Sequence, residues 1–118
     1  MKEFFFKTYD AENYHCAHFV CDVWEKETGH SIRNEMFGFL FPPKDQVVDM
    51  SLRSKFKKLS APKSPCLVLM HGKGIDPHVG IFLRGRVLHM SKKHVEWMPL
   101  QIATLGFTKV GFYDVENS

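Results

Sequence analysis

The sequence predicts an α+β domain in which N-terminal helices pack on a meandering antiparallel β-sheet. Three observations carry this. Apolar residues recur at helical spacing between residues 14 and 28, where Cys16, Phe19, Val20, Val23 and Trp24 fall on one stripe. From Cys66 onward the pattern changes to short strand-like runs separated by turn residues. Finally, 118 residues with 44% apolar content suit one core and are too few for two ordinary domains. Residues 1–118 therefore read as a single domain.

The first element is a helix over about residues 14–28. Asn13 is its expected N-cap, Lys26 sits near its C-terminal end, and Gly29 follows as a stop. Met36 to Phe41 is a short apolar run ended by Pro42-Pro43, and Gln46 to Leu59 reads as a candidate second helix. Ser60 to Pro65 is a connector. Strands are expected at Cys66–Met70, His78–Leu83, Arg86–Met90, near Val95–Trp97 and at Lys109–Val115, with a helical turn or two between Pro99 and Leu105.

The central hairpin is the most specific feature. If Arg84-Gly85 forms a two-residue turn, Leu83 faces Arg86 and Gly80 faces His89. Val79, Ile81, Leu83, Leu88 and Met90 then share the core face. His78 and His89 share the opposite face as diagonal neighbours, roughly 7–8 Å apart.

Composition narrows the function classes. A net charge of +3 is too small to argue for nucleic acid, and the Arg53–Lys58 run reads as a solvated helix end. No stretch approaches the length of a membrane span, so no membrane partner is expected. The N-terminus resembles neither a signal nor a transit peptide, which predicts a chain that starts in the cytoplasm. Three cysteines, Cys16, Cys21 and Cys66, are expected to be unbridged thiols.

A cysteine on the apolar stripe of a helix is most often a small buried hydrophobe. Cys16 has more to offer. With Asn13 as cap it lies at about N3, where the helix dipole and unsatisfied N–H groups favour a thiolate, so its pKa is expected below the ~8.5 of a free thiol. The same N–H groups suit an oxyanion, a nearby imidazole completes an ion pair, and a second polar group orients that imidazole. Cys16, His78 and His89 fill these roles.

The order of a helix-start Cys, a strand reading His78-Val79-Gly80-Ile81-Phe82 and a strand ending Leu88-His89-Met90-Ser91 resembles the NlpC/P60 cysteine peptidases. In that family the middle strand typically reads His-Val-Gly-Ile-Tyr. The resemblance runs from Tyr14 to the Gly111-Phe112-Tyr113 strand. It implies a papain-like fold with Cys16 as nucleophile, His78 as base and His89 orienting His78, acting on an amide bond in peptidoglycan peptides. No metal or cofactor is implied. The compact single-domain form is most similar to variants carried in phage tail-assembly proteins, which places the protein in a virion or at the bacterial wall, with phage tail proteins as partners.

The surroundings of the thiol depart from that family. Cell-wall members usually read Asp-Cys-Ser-Gly, whereas this chain reads His15-Cys16-Ala17-His18. The bond cleaved therefore stays open, with Tyr14, His15, Ala17 and His18 as the expected substrate contacts. Cys16-Ala17-His18-Phe19-Val20 also resembles the Cys-Glu-His-Phe-Val of lecithin:retinol acyltransferase relatives. There the histidine precedes the cysteine, so the peptidase order fits better. A thiol acyltransferase on the same fold and a non-catalytic phage-tail module remain the alternatives. A zinc site at His15, His18 and Cys21, with His71 or His94 as outside ligands, matches no common zinc spacing.

Overall fold

The computed structural model describes residues 2–116. A 3-10 turn, Lys2–Phe6, leads into helix α1, Cys16–Thr28. A short helix α2, Arg33–Glu35, runs into a π turn, Met36–Leu40, and a second 3-10 turn covers Met50–Lys55. The strands are β1 Phe56–Leu59, β2 Cys66–Gly72, β3 Ile75–Leu83, β4 Arg86–Met90 and β5 Val95–Met98. Helix α3, Leu100–Ala103, precedes strand β6, Lys109–Val115. All six strands form one antiparallel sheet in the order β1-β6-β2-β3-β4-β5, so the molecule is an α+β fold.

Helix α1 begins later than its periodicity suggests. The Asp10 carboxylate accepts from the N–H groups of Glu12 and Asn13 at 3.0 and 3.1 Å, and Asp10 pairs with Tyr14 through two 2.9 Å backbone bonds. This turn takes Asn13 away from the helix, and His15 becomes the N-cap in place of Asn13. At the other end Gly29 adopts φ 78° and donates to the Glu25 carbonyl at 2.8 Å, the left-handed ending that glycine favours.

The sheet has two covered faces. Val79, Ile81 and Leu83 of β3 and Leu88 and Met90 of β4 pack with Phe19, Val20, Val23 and Trp24 of α1. Behind the sheet, Val68, Met70 and Val87 pack with Ala103 of α3, and Phe82, Phe107 and Phe112 close that side. Strict alternation along β3 and β4 thus assigns His78 and His89 to the face away from α1.

The β3–β4 hairpin has the expected register, with Leu83 opposite Arg86 and Ile81 opposite Leu88. Arg84 and Gly85 both have positive φ, 49° and 84°, as a tight two-residue turn with the twist of the strands requires. The paired ladder runs from Leu83–Arg86 to Ile81–Leu88, and beyond it Gly80 lies close against His89. On the other flank, the β2–β3 register shifts between Met70 and Gly72, beside Pro77, which has no N–H for a ladder. The shift directly follows the Met70–His78 pair.

The helix expected over Gln46–Leu59 does not form. Asp49 caps a 3-10 turn by accepting from Ser51 N–H at 3.0 Å, and Phe56–Leu59 then joins the sheet as β1 beside β6. Val47 and Met50, which a helix would need to bury, are 94% and 60% exposed. Pairing with a distant strand outweighs a weak local helical pattern here.

Candidate active site

Cys16, His78 and His89 line one cleft of about 680 Å³. Its walls are the start of α1 with His15, the first half of β3 from Ile75 to His78, and the run from His89 to Lys92. Tyr9, Phe41 and Phe107, all from irregular segments, complete it. No periodicity in the sequence points to these three aromatics, and only their positions in the fold reveal them.

Cys16 is the first residue of α1 and is 9% exposed. Backbone N–H groups of Val79, Ala17 and Cys16 itself act on its sulfur. The Val79 contact ties the thiol to the residue immediately after His78. Burial nevertheless pushes the Cys16 thiol up, and these N–H groups only partly oppose it. This corrects the expected depressed pKa: taking the sulfur out of water outweighs the helix terminus. The resting thiol is protonated at neutral pH.

His78 is held on two sides. Its ring stacks on Phe107 with centroids 6.1 Å apart and planes 10° from parallel, and its Nε2 lies 3.0 Å from Nδ1 of His89. Burial, reinforced by the neighbouring His89, lowers its pKa to about 4. His78 is thus neutral at pH 7 and able to accept a proton, through Nδ1, since Nε2 is engaged by His89. His89 is 8% exposed and is the one buried polar side chain among the described residues. Burial lowers its pKa as well, against the pull of the Glu96 carboxylate.

The flanking residues divide. His15 caps α1: its Nδ1 accepts from Ala17 N–H at 3.2 Å, while His18 Nδ1 accepts from His15 N–H at 3.2 Å. An Nδ1 that accepts places the ring proton of neutral His15 on Nε2. Burial lowers the pKa of both rings, so the neutral form is favoured. His15 lines the cleft and also a second groove, of about 410 Å³, where it meets His18, Phe37 and Phe41.

Ala17 and Tyr14 are not where the sequence reading puts them. Ala17 is fully buried and presents no side-chain surface to a substrate. The Tyr14 hydroxyl donates to Asp22 Oδ2 at 2.5 Å, Asp22 is paired in turn with Arg33, and Tyr14 lines neither the cleft nor the groove. Burial followed by the Asp22 hydrogen bond raises its pKa. Tyr14 is a strut that ties the segment before Cys16 to α1 and α2.

Cys21 and Cys66 lie in the core, 1% and 0% exposed, and burial pushes the Cys21 thiol up to about 12. Cys21 belongs to the packed stripe of α1, although its spacing places it off that stripe in the sequence. Among the described residues no group of three His, Cys, Asp or Glu side chains is arranged to hold a metal ion. No helix among them is long and apolar enough to cross a membrane. Comparison with protein-family models, curated proteins and solved structures found no match.

Proposed function

We propose that the protein is a cysteine peptidase or amidase with a papain-like NlpC/P60 arrangement, hydrolysing an amide bond in peptidoglycan peptides as a phage tail-associated cell-wall enzyme. One observation carries the reading. A thiol at a helix start and two histidines from neighbouring strands, far apart in sequence, meet in one cleft, with the histidines in hydrogen-bond contact at 3.0 Å.

The protonation states suggest how the reaction runs. A raised thiol pKa and a base near 4 do not support a standing thiolate–imidazolium pair. The thiol proton instead passes to His78 Nδ1 as sulfur attacks the carbonyl carbon. The oxyanion meets the positive end of α1 and the Cys16 N–H, and His15 Nε2–H offers a neutral donor at the rim. The His78 imidazolium then protonates the leaving amine, and neutral His78 takes a proton from the water that hydrolyses the thioester.

Tyr9, Phe41 and Phe107 in the cleft lining support a second reading, a thiol acyltransferase, because aromatic side chains accept an acyl chain. Asp76, Ser91 and Lys92 in the same lining favour the polar backbone of a peptide. Incubation with purified peptidoglycan, followed by mass analysis of the released fragments, separates the readings. A hydrolase releases peptides with new termini, and Cys16→Ala releases none. Equal fragments from both proteins, or none from either, overturn the hydrolase reading. Covalent transfer of an acyl group to an added amine in place of water establishes the acyltransferase.

A further inference from the structure

We infer that Glu96 is a positioning residue for the candidate site, accepting the Nε2 proton of His89 and thereby placing a basic lone pair on His78 Nδ1. The inference rests on the reading of His78 as the base.

The starting point is an orphaned atom. His89 Nε2 is buried and has no hydrogen-bond partner among the described residues, although its other nitrogen is engaged by His78. Buried ring nitrogens seldom stay unpaired, because the loss of water is then uncompensated. Glu96 is the residue directly opposite His89 in the β4–β5 register. Cross-strand partners share a face with Cβ atoms about 5 Å apart, a span within the reach of a glutamate side chain. In the structure the Glu96 carboxylate leans outward to His94 Nε2 at 3.3 Å. Both partners of that pair are exposed, His94 by 60% and Glu96 by 38%, so water competes for it and little holds the carboxylate there. His78, His89, Glu96 and His94 thus form a row across β3, β4 and β5, running from the cleft to solvent.

The row has a directional consequence. An acceptor at His89 Nε2 keeps that nitrogen protonated and leaves Nδ1 bare. A bare Nδ1 accepts from His78 Nε2–H, and His78 Nδ1 is left with the lone pair that the thiol requires. Without the acceptor, His89 is free to carry its proton on Nδ1 and donate to His78 Nε2. The His78 proton then sits on Nδ1, where it blocks proton transfer from Cys16. When His78 becomes an imidazolium, the Glu96 carboxylate also balances the charge through His89. Carboxylates behind functional histidines act in this way elsewhere.

The test compares wild type, Glu96→Gln and Glu96→Met by long-range 1H–15N correlation spectra of the imidazoles. The rate of Cys16 alkylation by iodoacetamide is measured on the same samples. Glutamine keeps an acceptor oxygen, whereas methionine keeps the bulk and removes it. The wild type and Glu96→Gln should both show Nε2–H on His78 and His89. Glu96→Met should show His89 with substantial Nδ1–H and a Cys16 rate about 10–100-fold lower. Unchanged tautomers in Glu96→Met overturn the inference, whatever happens to the rate. Tautomers that shift while the Cys16 rate stays constant uphold the link from Glu96 to His89, and overturn His78 as the base.

Discussion

Acidification should destabilise this protein through His78, by an amount that the site itself sets. The folded state holds His78 near 4, mainly by burial and then by the adjacent His89, against an ordinary value of 6.5. Between those two values the unfolded chain binds a proton that the folded chain refuses. Stability therefore rises with pH across that window, and it falls as the pH is lowered from 6.5 towards 4. At ~1.4 kcal/mol per pH unit, the window is worth about 3 kcal/mol for His78 alone. His89 contributes with the same sign. Urea unfolding at pH 7 and pH 4, followed by the fluorescence of Trp24 and Trp97, measures the total. The His78→Gln variant isolates this residue, since glutamine still offers a hydrogen-bonding group to His89 but does not titrate. The wild type should lose about 3 kcal/mol more than the variant over this range. Equal losses in the two proteins would refute the burial of a neutral His78.

Two further perturbations bear on the site's support. A methyl group at Gly80 would lie 2.9 Å from Val87 Cγ1 and 3.2 Å from His89 Cβ. Gly80→Ala should therefore cost about 1–3 kcal/mol in thermal or urea unfolding and displace His89, with a lower Cys16 alkylation rate. At the helix start, His15→Ala removes the side chain that accepts Ala17 N–H and should cost about 1 kcal/mol, whereas His15→Asn, a better natural cap, should restore that stability. If the two His15 variants unfold alike, the imidazole cap contributes nothing.

The hairpin was legible because two independent signals agree in it. Alternation placed Val79, Ile81, Leu88 and Met90 on one face, and a two-residue turn at Arg84-Gly85 admitted only one register. That Cys16 and His78 line one cleft does not follow from the shared core, because His78 lies on the sheet face away from α1; the bond from Val79 N–H to the thiol brings the helix start to that end of β3. What stayed hidden depends on contacts between distant segments. The start of α1 depends on Asp10 holding Asn13, and β1 exists because β6 offers it an edge. Tyr9, Phe41 and Phe107 reach the cleft from segments without periodicity. The state of the thiol is hidden for a different reason: sequence position reports the helix dipole but not burial, and burial dominates at Cys16.

The central claim is that His78 takes the proton of Cys16, and the pH dependence of alkylation tests it most directly. Iodoacetamide labelling of each cysteine, quantified by peptide mass between pH 5 and 8, gives separate rates for Cys16, Cys21 and Cys66. A thiol without a base loses about tenfold in rate for each pH unit below its pKa, as its thiolate disappears. With His78 neutral down to about pH 4, the Cys16 rate should stay nearly flat across this range and exceed those of the other two. In His78→Gln it should fall by about 100-fold at pH 6 and recover the tenfold slope. A Cys16 rate that follows the thiolate slope in the wild type and is unchanged by His78→Gln would contradict the account.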